Sequence, residues 1–499
     1  MSTTTESPGS RLTPLEADGP DPKRWLALTI IAVAQLMVVL DASIVTIALP
    51  SAERSLGIST ANRQWVLTAY TLAFGGLLLL GGRIADYVGR KRMFLIGLLG
   101  FAAASALGGA AVNAPMLFGA RALQGAFAAL LAPAALSLIS VTFTEVKERA
   151  TAFGVYGAIS GGGAAIGLIL GGVLTQYASW RWCLLVNVPI AILAAVVAIP
   201  IVRESKAHGN TSYDIPGAIV VTGGLVALVY GFTRAAQSSW TAGSTLTYLG
   251  IGVVLLAAFV IIEVRAKNPL LPMRVVLDRT RGGSFLSSLL VGSGGMGMFL
   301  FLTFYFQGNL GYSALKTGFA FLPFSAGIIV AAAASSRITP RTGPKPAMVI
   351  GFSAAALGMA WLTRIGANTS FALHVLPAEI LLSVGLGLAF VPMSSIALFG
   401  VSPDDAGVAS ATLNATQQIG GSLGTALLNT VFASSTAAYL ATRVDTRAVR
   451  EAAQIHGYTI GFTIGAVFLV AAALSTLVLV NTSKKAMEVI DDPGVPGLV

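Results

Sequence analysis

Gly81-Gly82-Arg83-Ile84-Ala85-Asp86-Tyr87-Val88-Gly89-Arg90-Lys91-Arg92 decides the fold. It is a short basic turn holding one carboxylate, Asp86, with a long apolar run on either side: Trp65 to Leu80 before it and Met93 to Val112 after it. A bilayer core is crossed by about 20 apolar residues. The stretch therefore reads as the turn of a tight hairpin between two membrane-spanning helices. Its basic residues place that turn on the cytoplasmic side.

The rest of the chain has the same character. Of 499 residues, 55% are hydrophobic and only 10% are charged, against about 25% charged in a soluble domain. The deficit runs along nearly the whole length, which identifies an all-α polytopic membrane protein. The net charge of +10 does not point to nucleic acid, because the basic residues fall in short loops between apolar runs. The single cysteine, Cys183, excludes an internal disulfide and a multi-cysteine metal site. His208, His374 and His456 are far apart and form no ligand motif, so no metal is expected. The first 20 residues are polar and rich in Ser, Thr and Pro, without the pattern of a cleavable signal peptide. They are expected to be a disordered cytoplasmic tail.

Apolar runs long enough to span number fourteen, from 25–49 to 458–481, with 215–233 and 247–263 in the middle and 408–434 the penultimate. With the N-terminus inside, Lys and Arg favour the inner loops by about two to one, which puts both termini in the cytoplasm. Polar stretches after the sixth run and after the eighth divide the chain. The expected organisation is a tail at 1–24, a six-helix bundle at 25–202, a linker carrying two extra helices at 203–283, a second six-helix bundle at 284–481 and a tail at 482–499. A faint internal repeat supports the halves: Arg337 to Lys345 stands where the opening stretch stands in the first half, keeping Arg341, Gly343 and Lys345 but no carboxylate. Parallel halves of this kind place a substrate path between them near the midplane.

Charges inside spans are expensive and mark function. Asp41 lies about 24 Å from the inner surface, Arg121 roughly 9 Å and Glu379 roughly 10 Å from the outer one, at 1.5 Å per residue. All three fall at similar depth, and Arg121 and Glu379 occupy matching places in the fourth helix of each half. Burial favours a neutral carboxyl and a nearby guanidinium an ionised one, so a carboxylate subject to both can exchange a proton as a cavity opens and closes. Asp41, Arg121 and Glu379 are the proton-coupling candidates; the alternatives are a permanent Asp41–Arg121 structural pair and, for Glu379, a charge snorkelling to the headgroups. The buried amides Gln35, Gln124, Asn187, Asn414, Gln417 and Gln418 are candidates to bind substrate or, equally, to hydrogen-bond between helices. No G-x-x-x-x-G-K-[ST] phosphate loop, H-E-x-x-H or G-x-S-x-G occurs. ATP hydrolysis and intramembrane hydrolysis therefore lack their motifs, and the chain reads as no enzyme.

Read together, these motifs resemble the major facilitator superfamily, and within it the fourteen-span drug:proton antiporters, from about Trp25 to Val480. Leu40-Asp41-Ala42-Ser43-Ile44-Val45 through Ala48-Leu49-Pro50 resembles the first-span signature. Gly82, Asp86, Gly89, Arg90 and Arg92 match the cytoplasmic gating loop between spans two and three. Arg121-Ala122-Leu123-Gln124-Gly125 resembles the fourth-span motif linked to proton coupling. Trp180-Arg181-Trp182, Asn187-Val188-Pro189, Asp214-Ile215-Pro216-Gly217 and Gln417 to Gly424 resemble features of the fourteen-span branch. Gly167, Gly171 and Gly172 match the antiporter motif of span five, except that Leu168 stands where the family has proline and its bend.

The resemblance implies two six-helix bundles plus two extra central helices. It also implies a monomeric, multi-pass plasma-membrane exporter of hydrophobic drugs or antibiotics. Such a protein needs no cofactor and is driven by protons across the lipid bilayer. A carrier for a lipid, siderophore or metabolite is the alternative. Asp86 and Arg90 are expected to pair across the halves and close the cytoplasmic side when the cavity opens outward.

Overall fold

The structure, a computed structural model, describes residues 22–143, 145–206, 214–266, 269–401 and 405–481, with no description of the side chains at 146, 150, 158, 160 and 161. Nearly all of both expected tails (1–21 and 482–499), together with 207–213 and 267–268 of the linker, lies outside the described residues. No β-strand occurs among the described residues.

The first half consists of α1 (Arg24–Leu56), α2 (Trp65–Val88), α3 (Arg90–Gly109), α4 (Ala114–Thr142), α5 (Val146–Tyr177) and α6 (Trp182–Ile201). The insert is α7 (Ile215–Gln237) and α8 (Gly243–Arg265). The second half consists of α9 (Arg279–Asn309), α10 (Ala314–Thr342), α11 (Pro344–Arg364), α12 (Phe371–Leu398), α13 (Ala406–Ala441) and α14 (Arg447–Leu479). The helices overrun the apolar runs: α1 has 33 residues, roughly 50 Å, against a bilayer core of about 30 Å. Their starts are set by side chains that accept from the first free N–H groups. Asn113 accepts from Met116 N (2.9 Å), Asp214 from Gly217 N (2.9 Å) and Asp278 from Arg281 N (2.9 Å). The last cap starts α9 at Arg279, ahead of the expected 284.

Thirteen of these helices are long and apolar enough to cross a membrane. The exception is α13, the longest at 36 residues. Its apolarity is diluted by Ser410, Asn414, Gln417 and Gln418, which line a cavity, by Asn429, which bonds to the first half, and by Thr430, which bonds to the insert. A span wrapped by protein need not be apolar all round.

The two halves share one packing plan. In the first, α2 packs on α4, α3 on α4 and α6, and α1 on α5 and α6. In the second, α10 packs on α12, α11 on α12 and α14, and α9 on α13 and α14. Matching α1–α6 with α9–α14 superposes one list on the other. The halves meet along two seams, α2 with α13 and α5 with α10, which the same matching exchanges. Related parallel halves about an axis along the membrane normal produce this pattern. Within each half, glycines allow the approach: a Cβ on Gly125 would run into the Tyr70 carbonyl, and one on Gly81 into that of Ala129. The insert breaks the symmetry, since α7 packs on α8 and along both α2 and α13, covering one seam and not the other.

Candidate functional site

Five helices of the first half converge on Asp41. α1 brings the carboxylate, α4 brings Arg121 and Gln124, α6 Asn187, α3 Ser105, and α2 the Val66 carbonyl and the Tyr70 ring. Arg121 Nη1 donates to Asp41 Oδ2 (2.5 Å) and to Gln124 Oε1 (2.7 Å), and its Nε donates to the Val66 carbonyl (2.9 Å). Asp41 Oδ1 accepts from Gln124 Nε2 (3.0 Å) and Asn187 Nδ2 (2.9 Å). Gln124 Nε2 also donates to Ser105 Oγ (2.7 Å). The guanidinium lies 4.5 Å from the Tyr70 ring centre, a cation–π contact. Asp41 is 0% and Arg121 1% exposed. A carboxylate so buried is tolerated because three donors, one of them a cation, satisfy it.

This cluster forms one wall of a cavity of about 920 Å³ between the halves, within the range of drug-sized sites. Arg121 and Tyr70 line it. Aromatic side chains supply much of the remaining wall: Phe74, Phe153 and Tyr156 from the first half, Phe299, Phe324 and Phe390 from the second. Asn414, Gln417 and Gln418 present amides from α13, and Gln35 one from α1.

The sequence profile of the Major Facilitator Superfamily matches residues 31–425. The chain belongs to the major facilitator superfamily. Among curated relatives, the puromycin resistance protein of Streptomyces alboniger is 50% identical over 473 residues, covering 94% of each chain. The cephamycin export protein of Amycolatopsis lactamdurans is 38% identical, covering 82% of this chain and 85% of its own. In fold, this facilitator is similar to the crystal structure of a bacterial homologue of the human lysosomal transporter Spinster, with a TM-score of 0.64 at 17% identity, over 94% of this chain and 98% of that one. The facilitator is thus an integral membrane transporter related to antibiotic resistance and export proteins.

The residues singled out in the sequence of this facilitator divide into those at the cavity and those behind it. Gln35, Asn414 and Gln417 line the cavity, with Gln35 Oε1 accepting from Tyr156 Oη (2.7 Å). Gln124 and Asn187 do not line it; their amides hold Asp41 instead. Glu379, on α12, is 0% exposed and away from the cavity wall, and neither carboxyl oxygen has a hydrogen-bond partner among the described residues. Being fully buried, it does not snorkel. Gly167 faces Ser43 and the Leu40 carbonyl, Gly171 faces Ile44, and Gly172 faces Ala314 and Leu315 of α10. With Leu168 in the proline position, α5 runs unbroken from Val146 to Tyr177.

The cavity opens at the end of the facilitator that carries the α2–α3 turn. Gly82, Arg83 and Asp86 line its mouth. Gly89 adopts φ +132°, a conformation that favours glycine, and a Cβ there would lie 2.7 Å from Glu204 Oε1. That carboxylate accepts from the backbone N–H groups of Lys91 (3.1 Å) and Arg92 (3.2 Å) at the start of α3, and Arg92 Nε lies 3.6 Å from it. Asp86 pairs with Arg90 one turn on, at 2.9 Å. In this state of the facilitator the pair stays within the first half and does not bridge to the second.

At the opposite end the halves are sealed. Gln307 Nε2 donates to the Ile47 carbonyl (3.0 Å), and Leu315 N to Gln176 Oε1 (3.3 Å). The main feature there is Arg63, which the sequence presents as a loop residue. It is 3% exposed, donates from Nε to Asn429 Oδ1 (2.9 Å), and lies 4.0 Å from the Phe304 ring centre and 4.7 Å from that of Phe432. No periodicity marks it, because its partner is 366 positions away. The unusual polarity of 408–434 is the available signal.

Proposed function

We propose that this facilitator exports hydrophobic, drug-like antibiotics by alternating access, drawing one or more protons inward through Asp41. The observation that carries the reading is the Arg121–Asp41 pair: the cation lines the cavity while the carboxylate sits immediately behind it. A proton on Asp41 removes the charge that holds Arg121 in place. The guanidinium is then free to swing toward the cavity, so that a bound molecule and the proton compete through one side chain. Competition of that kind is what antiport requires, because the loaded states of the two ligands exclude each other.

Orientation follows from charge. The α2–α3 turn beside the mouth carries Arg83, Arg90, Lys91 and Arg92, which favour the cytoplasmic side, so the cavity in this state opens inward, the loading side of an exporter. Its aromatic and amide walls suit a large, mainly apolar molecule with a few hydrogen-bonding groups. The 50% identity to a puromycin resistance protein over 94% of the chain makes puromycin the first compound to test. Expression in an efflux-deficient host should raise the tolerated puromycin dose at least about fourfold, with Asp41→Asn returning it to the empty-vector level. Unchanged tolerance across puromycin and a panel of chemically varied antibiotics overturns the reading.

A further inference from the structure

We infer that the two-helix insert is a working part of the gate at the sealed end, and that Thr233 on α7 is its anchor. The inference rests on the alternating-access reading, since halves that never part there need no gate.

Three bodies meet at this point in one buried network. From the first half, Gln64 Nε2 and Trp65 Nε1 both donate to Thr233 Oγ1, at 3.0 and 3.1 Å. The Thr233 hydroxyl donates onward to the Val229 carbonyl (3.0 Å), which leaves it fully used. From the second half, Asn429 Nδ2 donates to the Thr60 carbonyl (2.8 Å) and to Gln64 Oε1, while its Oδ1 accepts from Arg63. Thr430 Oγ1 donates to the Phe232 carbonyl of α7 (2.8 Å). Consecutive residues of one insert helix therefore hold opposite halves: Thr233 the first, Phe232 the second. Gln64, Asn429 and Thr430 are 0% exposed and Thr233 is 1% exposed.

The chemistry is that of a joint made to open. Buried amides and hydroxyls are stable only while each has its partner, and here the partners are distributed over three bodies. Across the seam Arg63 has amide, aromatic and phenol partners, Asn429, Phe304, Phe432 and Tyr458, but among the described residues no carboxylate, so parting the halves there breaks no ion pair of Arg63. Water entering an opened vestibule can replace every lost bond. The insert, packed along both α2 and α13, adds bonds to the closed form and so sets how readily it opens.

The test uses the full chain in lipid nanodiscs with spin labels at Val112→Cys and Val444→Cys, which lie 75% and 81% exposed on opposite halves at the sealed end. Cys183 is buried and takes no label. Thr233→Val should raise the ratio of long to short distances about tenfold, and Trp65→Phe, which removes one donor to the same hydroxyl, about threefold. Thr233→Ser keeps the hydroxyl and should match wild type. A wild-type ratio in both Thr233→Val and Trp65→Phe overturns the inference, as does a Thr233→Ser shift as large as that of Thr233→Val. The measurement needs no drug: a protein that opens and closes this way without conferring resistance contradicts the export reading and leaves the gate standing.

Discussion

Arg121 donates to Asp41 across 2.5 Å, yet only Arg121 lines the cavity. The side chain nearest a bound molecule is thus held by a carboxylate one layer deeper. Lysine cannot reproduce this, because a single ammonium does not span the Asp41 carboxylate, Gln124 and the Val66 carbonyl in one plane. Arg121→Lys should insert and fold but lose at least about tenfold in drug transport, measured as initial rate in vesicles. Arg121→Ala leaves a buried carboxylate without its cation and should destabilise by about 3–5 kcal/mol, seen as a large fall in Tm. Arg121→Lys transport at the wild-type rate contradicts this account.

Glu379 is the opposite case. It occupies the place in α12 that Arg121 occupies in α4, but neither of its oxygens is bonded among the described residues. Burying an unbonded polar group is costly. Glu379→Met should therefore stabilise the protein by about 1–3 kcal/mol, with a higher Tm in detergent. If Glu379 also carries a transported proton, the same variant lowers the number of protons moved per drug. A fall in Tm indicates a favourable partner for this carboxyl and contradicts its isolation.

At the mouth, Gly89 and Glu204 act as one unit. Gly89→Ala introduces a Cβ against the Glu204 carboxylate in a backbone region that L residues avoid. It should slow transport several-fold while leaving membrane insertion intact. Glu204→Ala removes an acceptor from the first N–H groups of α3, a loss of about 1 kcal/mol. Because removing Glu204 also relieves the clash, the double variant should fall less than the two single effects combined. Strict additivity rules out the contact as the cause.

The cavity amides should set drug preference rather than coupling. Gln417→Ala and Asn414→Ala are expected to change the resistance profile, losing several-fold tolerance to some compounds and little to others. The proton dependence of the residual transport should stay as in wild type. Uniform loss across all compounds assigns these residues to the structure of α13 instead.

Much of this architecture was legible because lipid imposes strict rules. Runs of about 20 apolar residues and the placement of Lys and Arg gave the six-two-six plan, and isolated charges such as Asp41 and Arg121 stood out against them. What the sequence left open was which polar groups meet. Gln124 and Asn187 looked like Gln35 and Gln417, but helix rotation turns the first two toward Asp41 and the others into the cavity. Arg63 read as one more loop cation, since its environment is built from Asn429 and two rings contributed by the far half. Asp86 and Arg90 are expected to reach between halves when the cavity opens outward; with the mouth open they pair along one turn. Leu168 left the bend of α5 in question, and the helix runs through unbroken.

The central claim is tested most directly by drug transport into everted membrane vesicles under an imposed pH gradient, comparing wild type with Asp41→Asn. The account predicts that wild type accumulates puromycin only while the gradient stands and releases protons from the vesicle interior as it does so. Asp41→Asn, locked in the neutral form, should neither accumulate the drug nor move protons. Gradient-driven accumulation by Asp41→Asn at the wild-type rate would contradict the account.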